Sequence, residues 1–102
     1  MRLEYESKEK LEKEILNIFR KYIDLKEYKL FFFGSRVTGK GNERSDIDIG
    51  IIGKKSVPVS ALSEIEDEIE NMPILYKIDL VDFNNVSEKF KQVALEKIEP
   101  LN

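Results

Sequence analysis

Apolar residues at Leu11, Ile15, Ile18, Phe19 and Tyr22 recur at the three- and four-residue steps of a helix. With Ser7 as N-cap they predict a first helix from about Ser7 to Ile23. The period then changes. "YKLFFF" (Tyr28–Phe33) is a short aromatic run closed by Gly34 and reads as a buried strand. "SRVTG" after it has room for one helical turn, and Gly39, Gly41 and Asn42 mark a loop. "SDIDIGII" (Ser45–Ile52) predicts a second strand. Pro58 suits a helix start. Leu62, Ile65, Ile69 and Met72 then form one stripe, which Pro73 ends. "ILYKIDLVDF" (Ile74–Phe83) predicts a third strand. Asn85 and Glu88 have the spacing of a capping box, and Phe90, Val93, Ala94 and Ile98 form the stripe of a last helix.

The resulting order is α-β-(α)-β-α-β-α. Alternating strands and helices imply an α/β (α+β) layer structure: a small mixed sheet of about three strands with helices packed on it. Strand directions stay open at this level. The length of 102 residues fits one domain over residues 1–102, and no repeat or linker divides it. The N-terminus lacks the basic-then-apolar pattern of a signal peptide, and no apolar run approaches membrane-spanning length. The expectation is a cytoplasmic protein without a membrane partner.

Composition narrows the chemistry. There is no Cys, so disulfides, zinc thiolate sites and cysteine nucleophiles are excluded. There is no His, which removes the Ser-His-Asp triad and His-ligated metals. Catalysis must rest on carboxylates, Lys, Arg, Tyr, Ser and Thr, and a bound metal would be a hard, oxygen-ligated one. The net charge of −3 is unevenly spread. Residues 1–55 hold 13 basic and 10 acidic side chains, and residues 56–102 hold 4 and 10. That balance argues against a nucleic-acid partner.

Two acids interrupt the second strand. Side chains on a strand alternate between faces, so Asp46, Asp48 and Gly50 share one face and Ile47, Ile49 and Ile51 the other. The acids would be about 6.5–7 Å apart at Cα. They repel unless a cation sits between them. A solvent-facing strand with two harmless acids is the plain alternative. On the third strand Asp79 shares a face with Lys77 and Val81, while Asp82 falls on the other face near the strand end. If the third strand neighbours the second, Asp79 joins the pair. Three such carboxylates suit two magnesium ions about 4 Å apart, as used for in-line phosphoryl displacement. Asp82 reads as a strand-terminating or surface acid, and it is the alternative third ligand. Gly34-Ser35 ends a buried strand where free amides would attract phosphate. Arg36, Lys40 and Arg44 surround that turn against Glu43 alone.

Phe33-Gly34-Ser35, ten residues, then Asp46-Ile47-Asp48-Ile49 resembles the signature of the polymerase-beta-like nucleotidyltransferases. "GSRVTG", "SDIDI" and "IDLVDF" together look like its minimal nucleotidyltransferase (MNT) branch, over about Leu11 to Ile98. The resemblance implies the nucleotidyltransferase fold. It implies that Gly34 and Ser35 bind the nucleotide phosphates, and the charge of neighbouring Arg36 assigns it to the same nucleotide-binding set. Asp46, Asp48 and Asp79 would hold Mg2+ as two ions, with Mn2+ as the alternative metal. Asp79 would also help deprotonate the attacking hydroxyl. Many relatives are antitoxins beside an all-helical HEPN partner, a tyrosine of which receives AMP from ATP. Occlusion of the partner without catalysis stays open, as does a small-molecule or RNA acceptor.

Other features have quieter readings. "SEIEDEIE" (Ser63–Glu70) carries five acids and reads as a solvated helix face, with docking of a basic partner as the alternative. Lys77 would contact phosphate or balance the acids. Phe31, Phe32, Phe33 and Tyr76 read as core.

Overall fold

A computed structural model of the chain describes residues 1, 3, 7–40 and 46–102. Gly41, Asn42, Glu43, Arg44 and Ser45 lie outside the described residues, so the basic side chain at Arg44 and the start assigned to the second strand have no structural account.

The first helix, α1, spans Lys8–Arg20. Ser7 caps it by accepting from the Lys10 amide at 3.4 Å. It stops three residues before the expected Ile23, because the Tyr22 and Ile23 amides both fold back onto the Phe19 carbonyl. β1 is Tyr28–Phe33, as the aromatic run predicts. A single turn of helix, α2, follows at Ser35–Thr38. β2 is Ile47–Gly53, α3 is Val59–Glu70 after Pro58, and β3 is Ile78–Asp82. β3 is shorter than the run Ile74–Phe83. Its parallel pairing begins where β2 begins, at Ile47 with Ile78. It ends where Asp82 accepts from the Asn84 amide at 2.9 Å and starts a 3-10 turn, Phe83–Asn85.

α4 spans Glu88–Ala94, and its cap is Ser87, whose Oγ accepts from the Phe90 amide at 3.1 Å. The Asn85–Glu88 capping box is therefore not formed. Asn85 lies in the 3-10 turn, where its Oδ1 accepts from Ser56 Oγ at 2.9 Å. A fourth, two-residue strand that the sequence pattern does not announce, β4 at Glu99–Pro100, closes the described chain. Pro at a sheet edge forfeits no ladder bond. Asn102 fastens this edge: Oδ1 accepts from the Leu30 amide at 2.8 Å, and Nδ2 donates to the Tyr28 carbonyl at 3.0 Å.

The sheet order is β3-β2-β1-β4, with β1 antiparallel to β2 and β4 and β2 parallel to β3. Strand parity sorts the side chains. On one face Leu30, Phe32, Ile47, Ile49 and Ile51 pack with Leu11, Ile15 and Phe19 of α1 and Ile65 and Ile69 of α3. On the other, Phe31, Phe33 and Phe83 form a second cluster, flanked by Val81, Ala94 and Leu95. β1 is buried on both sides, which is why its apolar residues run together instead of alternating. Gly50 belongs to the second face, and any Cβ there would collide with the Phe31 and Phe83 rings. The last-helix stripe is only half-used. No α4 residue is buried, and Phe90 and Val93 are 43% and 63% exposed. Among the described residues no helix is long and apolar enough to cross a membrane.

Candidate active site

The antiparallel register pairs Phe33 with Asp48. β1 therefore ends beside Asp48, and the next residue, Gly34, turns across its carboxylate. Gly34 has φ 85° and ψ −163°, a conformation open almost to glycine alone. A Cβ there would also collide with Oδ2 of Asp48. Two independent constraints thus require glycine, and both arise where this turn meets the acid. The Gly34 carbonyl accepts from the Val37 and Thr38 amides, each at 3.1 Å, and this closes α2. The Ser35 amide, first in the turn, has no acceptor inside so short a helix. With four residues α2 has little macrodipole, so local amides and the exposed Ser35 hydroxyl are what the turn offers an anion.

The parallel register sets Asp79 opposite Asp48 on the neighbouring strand. Asp46 stands just before β2 and is half-buried. Burial pushes the Asp48 carboxyl above the ordinary carboxylate range, and the charges of Asp79 and Asp46 push it the same way. Asp48 thus feels the charge of both other acids. Lys77 Nζ stands 3.9 Å from Asp79 Oδ1, an exposed pair that partly balances the cluster. Asp82 is elsewhere. It lies on the isoleucine side and is 8% exposed; Oδ2 accepts from the Val57 amide at 2.8 Å and Oδ1 from the Asn84 amide. It does terminate the strand, but as a buried structural acceptor and not as a surface acid. Of the two candidate third carboxylates, the one facing Asp48 is Asp79.

Gly34, Ser35, Lys40 and Asp48 line a cleft of about 700 Å³, whose other wall is Phe90, Val93, Ala94 and Lys97 of α4 and the residues after it. A second cleft of about 360 Å³, between α3 and β3, is lined by Tyr76, Lys77 and Asp79 with Glu66 and Glu70. Asp48 thus lines one opening and Asp79 the other. Arg36 and Asp46 line neither cleft. The Arg36 guanidinium stacks over the Tyr76 ring, 4.9 Å from its centroid. The structure therefore brings together Gly34, Ser35 and Asp48, sets Asp79 across the strand pair, and turns Arg36 toward Tyr76. The α4 wall was invisible to sequence reading, because a stripe that faces a cleft has the same spacing as one that faces a core.

The donor set fits a hard divalent cation: three carboxylates and no nitrogen or sulfur ligand, with a mutual repulsion that such an ion would relieve. Among the described residues no group of three acids is preassembled as a cage.

The family model for polymerase beta nucleotidyltransferases matches residues 13–101, and the chain belongs to that family. A probable protein adenylyltransferase, MntA of Haemophilus influenzae, is 30% identical over 67 residues, 66% of this chain and 59% of that protein. The match thus spans less than two thirds of this relative's length. A toxin–antitoxin crystal structure with AMP-PNP contains a chain that superimposes with a TM-score of 0.69 at 25% identity, covering 89% of this chain and 72% of that one. A tri-AMPylated Shewanella oneidensis HEPN toxin in complex with an MNT antitoxin gives a TM-score of 0.69 at 22% identity, over 94% and 72%. That last likeness is one of fold.

Proposed function

We propose that this chain is a protein adenylyltransferase that moves AMP from ATP to a hydroxyl of a HEPN-type toxin, a tyrosine in the first instance, and so acts as an antitoxin. The observation that carries the reading is the meeting of Gly34-Ser35 with Asp48 in one cleft, with Asp79 opposite on the next strand. Similarity to MntA and to a toxin–antitoxin complex with AMP-PNP supports the nucleotide and the partner class.

In this reading the Ser35 amide and hydroxyl, with Lys40 on the same cleft wall, receive the phosphates. Asp46, Asp48 and Asp79 hold Mg2+, as one or two ions, or Mn2+ in its place. When bound, the metal supplies positive charge to the triphosphate and the departing pyrophosphate. The acceptor oxygen attacks the α-phosphorus, and a new P–O bond forms. The bond from that phosphorus to the bridging oxygen of the β-phosphate breaks, and pyrophosphate leaves. Asp79 helps take the proton of the attacking hydroxyl. Its placement on the second opening gives the acceptor a route that does not cross the nucleotide. Arg36, held against Tyr76, stiffens the turn that carries Ser35, and a phosphate contact would require it to swing off that ring.

The test is the mass of a HEPN partner after incubation with the chain and ATP, with Mg2+ and with EDTA. A gain of one or more AMP units that requires the metal is expected. An unmodified partner, inhibited in a stable complex, would show neutralisation by occlusion. Label on RNA or on a small molecule with no protein acceptor would show a different substrate class.

A further inference from the structure

The cleft that begins at Gly34 has two chemically different ends. One offers Ser35, Lys40 and Asp48. The other is apolar, made by Phe90, Val93 and Ala94 of α4. Phe90 and Val93 are 43% and 63% exposed, although apolar side chains gain by burial. Phe90 is nevertheless fixed. Its ring centroid lies 6.2 Å from that of Phe33 at an interplanar angle of 87°, and 5.7 Å from that of Phe83 at 55°. Phe33 in turn is the register partner of Asp48 and the residue before Gly34. One chain of contacts therefore runs from the anion-facing turn through Phe33 to an exposed ring. A volume of about 700 Å³ lies within the usual span of small-molecule sites, about 300–1,000 Å³.

We infer that the α4 wall is the nucleoside subsite, with Phe90 stacking on the base and Val93 packing against the sugar or base edge. The inference rests on the nucleotide reading given above. A triphosphate on Gly34-Ser35 has its nucleoside attached, and the apolar wall is the part of the same cavity left for it. Every base has a π-face, so stacking on Phe90 supplies affinity without choosing among bases. The polar rim at Glu96 and Lys97, and not the ring, is where discrimination between bases would arise.

The test is calorimetric binding of ATP and of inorganic tripolyphosphate, each with Mg2+ and no acceptor, to the full chain. Phe90→Ala should weaken ATP binding about fivefold or more and leave tripolyphosphate binding unchanged. GTP and CTP should weaken by a similar factor. Phe90→Trp should restore ATP binding. Phe90→Leu keeps apolar bulk against Phe33 and Phe83 but has no ring, so it should share the loss, and it carries the test if the alanine variant is unstable. Undiminished ATP binding by Phe90→Ala or Phe90→Leu overturns the inference and assigns the patch to a protein partner. An equal loss of tripolyphosphate also overturns it, because the ring would then only support the Gly34 turn. Wild-type chain that binds tripolyphosphate as tightly as ATP overturns the subsite alone. Wild-type chain that binds neither overturns the nucleotide reading, and the subsite with it.

Discussion

Asp48 and Asp79 face each other across the parallel pairing of β2 and β3, one residue opposite the other in register. Neighbouring strands run about 4.8 Å apart, so two carboxylates on one face of this pair cannot avoid each other. Burial and this proximity together hold Asp48 above its ordinary pKa. A fold that only needed stability would place an apolar residue there, as it does one position later at Ile49.

The cost of that pairing has a definite pH signature. Folded Asp48 binds its proton more tightly than unfolded Asp48, so folding takes up a proton between the two pKa values. Stability therefore falls as pH rises through that window, and the full cost stands above the folded pKa. Asp48→Asn should raise the unfolding midpoint at neutral pH and leave it nearly unchanged below the ordinary carboxylate range. Mg2+ at neutral pH should stabilise the wild type more than this variant. Thermal melts across pH, with and without the metal, check both statements.

Gly34 answers to two constraints that a mutant cycle separates. Gly34→Ala should cost about 1–3 kcal/mol for the backbone conformation alone, plus the collision with Asp48. In an Asp48→Ala background the collision is gone, so the same change should cost measurably less. Chemical unfolding of the four proteins gives the coupling. Equal costs in both backgrounds would mean that the turn does not lie on the acid.

The two aspartates of β3 should part company. Asp82→Ala removes the acceptor of the buried Val57 amide and of Asn84, and should cost about 1–3 kcal/mol with little effect on metal binding. Asp79→Asn should do the reverse: near-neutral or favourable for stability, but weakening for Mg2+ binding in the presence of ATP. Denaturation midpoints beside metal titrations distinguish them.

Tyr22 reports on the join between α1 and α3. Its hydroxyl donates to Glu68, and this bond, helped by slight desolvation, pushes its pKa up to about 12. Glu68→Gln removes the charge that holds the proton, so one tyrosine should titrate at lower pH than in the wild type. Ultraviolet titration of the folded chain shows it.

Much of this site was legible in the residues themselves. β1 appears within its exact run, because six consecutive positions are closed by glycine and have almost no polar residue. The parity of β2 alone separates Ile47, Ile49 and Ile51 from Asp48. Parity likewise assigns Asp79 and Asp82 to opposite faces. Which strand neighbours which is a different matter. The order β3-β2-β1-β4 depends on how α3 crosses the sheet, and local pattern carries no record of that. β4 is two residues long, too short to show a period. The direction of Arg36, onto Tyr76, depends on a contact between residues 40 positions apart in the chain. α4 misled for a simpler reason: Phe90 and Val93 keep helical spacing whether they meet a core or a cleft.

At the centre of the proposed function stands metal binding by Asp46 and Asp48 for transfer of AMP to a protein hydroxyl. Its most direct measurement is transfer of label from α-labelled ATP to a HEPN partner in Mg2+, by the wild type and by an Asp46→Asn, Asp48→Asn double variant whose fold is checked by circular dichroism. Label on the partner is expected with the wild type, and background label with the double variant. Transfer by the double variant at the wild-type rate would contradict it.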